Sequence, residues 1–137
     1  MVPRILIVLG ASVIGLLGSI HLVYTFFTTK FDSRDPAASA AMKATSPILT
    51  RRTTLWRAWI GFNASHALGL LLFAATYLVL AIGHMSVLRD STALRWLSVI
   101  ASVAYLALAR RYWFLKPMVG IAIAGTCFLA AAIWLSF

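Results

Sequence analysis

Residues 58–82 read AWIGFNASHALGLLLFAATYLVLAI, twenty-five consecutive positions without a charged side chain. At a rise of about 1.5 Å per residue, a helix of this length can cross the roughly 30 Å hydrocarbon core of a bilayer. Its first half nevertheless contains Asn63, Ser65 and His66. The stretch therefore predicts a membrane-spanning helix in which three polar side chains stand where lipid is expected.

The composition of the whole chain is that of a membrane protein. Of its 137 residues, 62% are hydrophobic and 11% are charged, whereas soluble domains are about 45–50% apolar and about 25% charged. A chain this short cannot bury so much apolar surface, so part of that surface must face lipid. Four apolar stretches are long enough to span a membrane: 5–27, 58–82, 93–111 and 117–136.

These spans predict an all-α, polytopic membrane protein, an antiparallel bundle of four transmembrane helices that forms a single domain over residues 1–137. The first apolar stretch is longer than the roughly 7–15 residues of a signal-peptide core, so we expect it to be retained as a helix. Pro117 suits the first turn of the fourth helix, where its missing N–H removes no hydrogen bond.

Basic residues are distributed unequally between the two ends of the predicted spans. Nine of the twelve Lys and Arg residues lie in or beside the first and third connections: Lys30, Arg34, Lys43, Arg51, Arg52, Arg57, Arg110, Arg111 and Lys116. The positive-inside rule then predicts that these connections are cytoplasmic and that both termini lie on the other side of a plasma (inner) membrane.

The chain has a net charge of +9, with three Asp and no Glu, so most of these basic residues have no acidic partner within the chain. Because they flank apolar spans, we expect them to meet anionic lipids and not nucleic acid. The side chains predicted to contact lipid headgroups are Arg51, Arg52, Arg57, Arg110 and Arg111.

The connection over residues 28–57 contains two predicted helix starts. Asp35 and Pro36 have the residue types of an N-cap and a first helical position, which predicts a short helix on the cytoplasmic membrane surface. Ser46 and Pro47 predict a second start, from which the second spanning helix would run through ILTRRTTLWRAW into its apolar part. A basic and aromatic segment of this kind either anchors a protein to anionic lipid or offers a docking surface to a larger partner.

Two histidines are predicted to lie at the same depth in the membrane. His21 lies nine residues before Lys30, and His66 lies nine residues after Arg57. Because the first two spans run antiparallel, each histidine is about 13 Å inside the cytoplasmic edge. Asn63 shares a helix face with His66, as does Tyr24 with His21.

Residues of the third and fourth spans are expected at a similar depth: Ser102, Tyr105, Gly125, Thr126 and Cys127. An unpaired polar group costs several kcal/mol in hydrocarbon, so polar side chains in the four spans should face inward and bind one another. The sequence therefore predicts an intramembrane polar layer centred on His21 and His66.

Small residues recur every four positions on three of the spans. They are Ala11, Gly15 and Ser19 on the first, Ser65 and Gly69 on the second, and Gly120 and Ala124 on the fourth. Such spacing lets helix backbones approach closely in a membrane, so these stripes predict helix–helix contacts.

The residue types in the spans exclude several kinds of chemistry. No acidic residue lies within a span, and the chain has no CxxC, HExxH or glycine-rich phosphate loop. Di-iron carboxylate sites, carboxylate proton relays and the common hydrolase motifs are therefore excluded. The single Cys127 excludes an internal disulfide. We predict no catalytic residues and favour a protein that is not an enzyme.

Three hypotheses for function remain open. The first is an accessory or structural subunit, or a binding module, of a larger membrane complex or homo-oligomer. The second is a redox protein in which a b-type haem or a quinone binds at His21, His66, Asn63 and Tyr24, with the two histidines as iron ligands. Its layout resembles that of membrane cytochromes b, where histidines from two helices also lie at one depth. The third is a small membrane enzyme or carrier for an anionic lipid, with His66 as base and arginines at the headgroup.

Overall fold

The computed structural model describes residues 1–137 and consists of helices joined by short connections. Four helices are long and apolar enough to cross a membrane: α1 (Val2–Phe27), α3 (Leu55–Gly83), α5 (Thr92–Tyr112) and α6 (Leu115–Trp134). Two shorter helices are α2 (Pro36–Ala44) and α4 (Met85–Asp90). The all-α fold class and the four predicted spans are thereby confirmed.

The short helix between the first two spans begins where its sequence predicts. Asp35 is the N-cap of α2, and its carboxylate accepts a hydrogen bond from the backbone N–H of Ala37 at 2.9 Å. Pro36 occupies the first helical position, where its fixed φ suits the helix and its missing N–H costs nothing. Pro117 likewise lies in the first turn of α6.

The predicted helix start at Ser46 and Pro47 is wrong, because α3 begins only at Leu55. Residues 46–54 instead form turns, and the Leu55 N–H donates to the Thr45 carbonyl at 2.8 Å across the base of the segment. Hydroxyl side chains in the segment also accept backbone N–H groups, as Thr50 does from Arg52 at 3.1 Å. Such local side-chain bonds offer the backbone an alternative to the helix.

The short helix α4 was not predicted, and it explains how Arg95 is accommodated inside an apolar span. The Arg95 guanidinium donates to two carbonyls in the last turn of α4, those of Leu88 (3.3 Å) and Arg89. It also donates to the Thr92 hydroxyl at 3.0 Å. A cationic side chain at a helix C-terminus satisfies carbonyls that have no partner in the helix. The two terminal nitrogens of the buried Arg95 guanidinium thus find partners at the end of α4, whereas Nε has none.

The chain packs as two compact units, one formed by Met1–Leu17 and Leu70–Phe137 and the other by Gly18–Gly69. The first unit contains the apolar core. Phe128 is almost fully buried in it, with its ring centroid 5.4 Å from that of Tyr77 and 5.7 Å from that of Phe73.

Glycines allow the closest helix contacts of the first unit. A Cβ at Gly10 would lie 3.1 Å from the Ala124 carbonyl oxygen, and one at Gly15 would lie 3.3 Å from the Ala74 Cβ. Ala11 and Ala124 are fully buried. Ala11, Gly15 and Ala124 therefore lie at helix contacts, as their spacing predicts, whereas Ser19 of the same predicted stripe is exposed.

We expect Gly10→Val to destabilise the protein by about 1–3 kcal/mol, because the new side chain would have to displace the backbone of α6. Thermal unfolding of the purified protein in detergent would measure the loss. Gly69→Val is the matched control, since a Cβ there meets no atom within 4 Å. Equal melting temperatures for the two variants would contradict the close contact between α1 and α6.

Candidate functional site

Three of the predicted polar side chains meet within the unit Gly18–Gly69. His21 Nε2 lies 3.1 Å from Asn63 Oδ1, and the ring centroids of His21 and His66 are 5.0 Å apart with their planes at 66°. Asn63 is only 6% exposed, and both histidines are half-buried. His21 of α1 thus contacts two residues that lie on one face of α3. We call His21, Asn63 and His66 the His–Asn–His cluster.

The hydrogen bonds of Asn63 fix the protonation pattern of His21. The Asn63 amide nitrogen donates to the Trp59 carbonyl at 2.9 Å, one turn earlier in α3, so the amide oxygen faces His21. An amide oxygen only accepts, so His21 Nε2 must carry the hydrogen, and in the neutral ring Nδ1 keeps the lone pair. Asn63 is therefore a positioning residue that selects one tautomer of His21.

Aromatic rings extend the cluster toward the connection that follows α1. The Phe31 ring centroid lies 4.7 Å from that of His21, and Tyr24 reaches the cluster through Phe31, at 6.2 Å. Trp59 Nε1 donates to the Phe31 carbonyl at 3.2 Å and holds this residue in place. Phe31 was not predicted because it lies outside the spans, where helical periodicity gives no position.

The other residues of the predicted polar layer belong to the unit formed by Met1–Leu17 and Leu70–Phe137. Ser102 is buried and donates to the Ser98 carbonyl of its own helix at 2.8 Å, and a Cβ at Gly125 would lie 3.2 Å from the Ser102 Cβ. Thr126 is exposed and donates to the Ala122 carbonyl of α6 at 2.9 Å. These hydroxyls are satisfied by their own helices, as is common for Ser and Thr in membrane helices.

The arginines predicted to contact lipid headgroups are all exposed: Arg51, Arg52, Arg57, Arg110 and Arg111. The first three lie in the unit Gly18–Gly69, in and just after the turns that precede α3, and the last two lie in the last turn of α5. Their exposure leaves each guanidinium accessible to a phosphate.

The His–Asn–His cluster does not fit a haem held between its two histidines. A haem iron held by both histidines would need the porphyrin to fit between the two imidazole rings. Here the two rings are in edge-to-face contact at 5.0 Å, and His21 Nε2 is already hydrogen-bonded to Asn63. No group of three or more His, Cys, Asp or Glu side chains is placed to hold a metal ion.

A quinone bound by a donor from His21 fits no better. Quinone carbonyls accept hydrogen bonds, whereas the single N–H of neutral His21 is directed at Asn63. The free position of His21 is the Nδ1 lone pair, which can only accept. The arrangement therefore favours a hydrogen-bonded tie between α1 and α3.

No protein-family model, curated protein or solved structure matches this chain. The fold and the site define a small all-α protein with four helices apolar enough to cross a membrane and a His–Asn–His cluster between two of them.

We expect Asn63→Leu to abolish the tautomer preference of His21 and to destabilise the protein by about 0.6–2 kcal/mol, since the imidazole N–H loses its acceptor. Nitrogen NMR of histidine-labelled protein distinguishes the two tautomers, and thermal unfolding measures the stability. Ser65→Ala is the control, because the exposed Ser65 hydroxyl bonds only the Phe62 carbonyl of its own helix. A neutral His21 protonated on Nδ1 in the unmodified protein would refute the assignment.

Proposed function

We propose that this protein is an accessory or structural subunit that packs against a larger membrane protein complex. The supporting observation is a stripe of small residues on the exposed face of α3: Gly61, Ser65 and Gly69. A Cβ added at Gly61 or Gly69 would meet no atom within 4 Å. We call these three residues the α3 stripe.

The rest of the molecule shows what such residues do when a helix lies against them. A Cβ at Gly120 would lie 2.9 Å from Leu17 Cδ1, and one at Gly10 would be similarly crowded, at 3.1 Å from the Ala124 carbonyl oxygen. Small residues allow close approach of helix backbones in a membrane, where apolar burial gives no driving force. The α3 stripe has the four-residue spacing of Ala11 and Gly15, but no atom lies within 4 Å of a Cβ added at Gly61 or Gly69. This favours a helix of another protein as its partner.

The His–Asn–His cluster supports this role by fixing the helix that carries the stripe. At about 100° per residue, Asn63 lies about 160° around α3 from Ser65, so the residue that binds His21 lies on the face opposite the stripe, and His66 lies between the two faces. The hydrogen bond between Asn63 and His21 ties the inner face of α3 to α1. A fixed α3 presents its stripe in one orientation, which lowers the ordering cost of binding a partner.

The proposed orientation places the two basic connections in the cytoplasm and both termini on the opposite side of a plasma membrane. Support comes from the exposure of every basic residue in those connections, including Lys30 and Arg34 after α1 and Lys116 at the start of α6. Exposed cations at helix ends favour retention on the side of the membrane that carries anionic lipid.

The test of the accessory role is Gly69→Leu, with Ala75→Leu as the matched control. Both positions are exposed on α3, but Ala75 lies about 120° away from Gly69 around the helix. In mild-detergent extracts of native membranes, we expect the unmodified chain and Ala75→Leu to migrate in one larger complex on native gels. Gly69→Leu should migrate alone, because the leucine side chain prevents close approach of the partner helix.

Three results would contradict this proposal. The first is extraction of the unmodified protein as a monomer or as a homo-oligomer that contains no other chain. The second is that both leucine variants remain in the larger complex. An absorption spectrum with a Soret band that is lost in His21→Ala would instead indicate a haem protein.

A further inference from the structure

Residues 46–54, between α2 and α3, form a closed loop with a defined shape. The hydrogen bond from the Leu55 N–H to the Thr45 carbonyl, at 2.8 Å, joins its two ends. Within the loop the Thr50 N–H donates to the Pro47 carbonyl at 3.2 Å, which makes a tight turn with two residues at its tip. At the end of the loop, the Thr54 hydroxyl accepts the Arg57 N–H at 3.2 Å. The loop is therefore held by its own hydrogen bonds.

The tip of this loop is apolar and completely exposed. Ile48 is 107% exposed and Leu49 is 93% exposed. The other large apolar side chains exposed in the unit Gly18–Gly69 lie on α1 or α3, where membrane lipid would cover them. Two adjacent aliphatic side chains at the tip of a turn would gain free energy on leaving water.

Two cationic side chains follow the tip, separated from Leu49 by one residue. Arg51 and Arg52 are both exposed, and residues 46–54 contain no acidic side chain. The unit Gly18–Gly69 has six Lys and Arg residues against two acids, Asp32 and Asp35. The carboxylate of Asp35 is already used as the N-cap of α2. The loop therefore combines an exposed apolar tip with uncompensated positive charge.

We propose that loop 46–54 is a membrane anchor that binds the surface of an anionic bilayer. Ile48 and Leu49 insert between the headgroups, and Arg51 and Arg52 bind lipid phosphates. An apolar group beside cations matches the apolar and anionic layers of such a surface. The loop is well placed for this, because the uncharged part of α3 starts at Ala58, only one turn into the helix.

The first experiment measures how deeply the tip enters the bilayer. An environment-sensitive fluorophore is attached at Ile48→Cys or Leu49→Cys in the full chain, with Cys127→Ala to remove the native thiol, in nanodiscs of phosphatidylcholine and phosphatidylglycerol. Ser33→Cys, exposed in the polar part of the same connection, is the control. We expect the tip labels to emit at shorter wavelength and to be quenched by brominated acyl chains, and the control label to be quenched by iodide.

Tip labels as accessible to iodide as the label at position 33 would overturn the proposal. Tip labels that are accessible in nanodiscs but protected in native membranes would also overturn it, because the loop would then bind a protein and not lipid.

The second experiment tests the cationic part of the loop. We expect phosphatidylglycerol to raise the melting temperature of the unmodified protein above its value in phosphatidylcholine alone. Arg51→Gln with Arg52→Gln should lose most of this rise. Lys30→Gln with Arg34→Gln removes the same charge from exposed positions of the same unit and should keep most of it.

An equal loss in the two double variants would show an effect of net charge alone and would contradict a site at the loop. An unmodified protein whose melting temperature is not raised by phosphatidylglycerol would also contradict a lipid-binding site at the loop.

Discussion

The hydrogen bonds that polar side chains make inside the apolar helices are the constraint on which the rest of the structure depends. Lipid offers no donor or acceptor, so polar groups within a span depend on the protein for partners. Among the buried side-chain polar atoms, Arg95 Nε alone has none. Asn63 meets this requirement at both ends of its amide, through the Trp59 carbonyl of α3 and the imidazole of His21 in α1. The same amide thus places α3 against α1, selects the tautomer of His21 and sets which face of α3 remains outside.

Much of the fold could be predicted from sequence, because span length, caps and helical periodicity are local properties. The four spans and the N-cap Asp35 follow from them directly, and equal spacing from basic residues predicted the common depth of His21 and His66. Positions that depend on bonds between distant residues could not be predicted. Phe31 is held by Trp59, and the turns before α3 are closed by a bond between Thr45 and Leu55. In that segment, local hydroxyl bonds outweighed the helix-starting tendency of Ser46 and Pro47.

The small-residue stripes show the limit of periodicity in a second way. Ala11 and Gly15 lie at a helix contact within the chain, whereas Gly61 and Gly69 have open space beside them. In sequence the two stripes have the same four-residue spacing, which fixes the residues that share a face but not the direction of that face. The direction of the α3 stripe is fixed by Asn63, on the opposite side of the helix. A hydrogen bond elsewhere on the same helix therefore decides whether a stripe of small residues faces another helix of the chain or faces outward.

The proposed anchor loop would fix the depth in the membrane of the His–Asn–His cluster and of the α3 stripe. This helix is continuous from Leu55 to Gly83, so its rise of about 1.5 Å per residue places His66 about 16 Å from its first residue. If loop 46–54 holds the start of α3 among the headgroups, the His–Asn–His cluster and the α3 stripe acquire fixed depths as well. A partner helix would then need its own small residues at the depth of Ser65, and a shift of one turn would place large side chains against Gly61 or Gly69. The loop would in this way contribute to specificity without touching the partner.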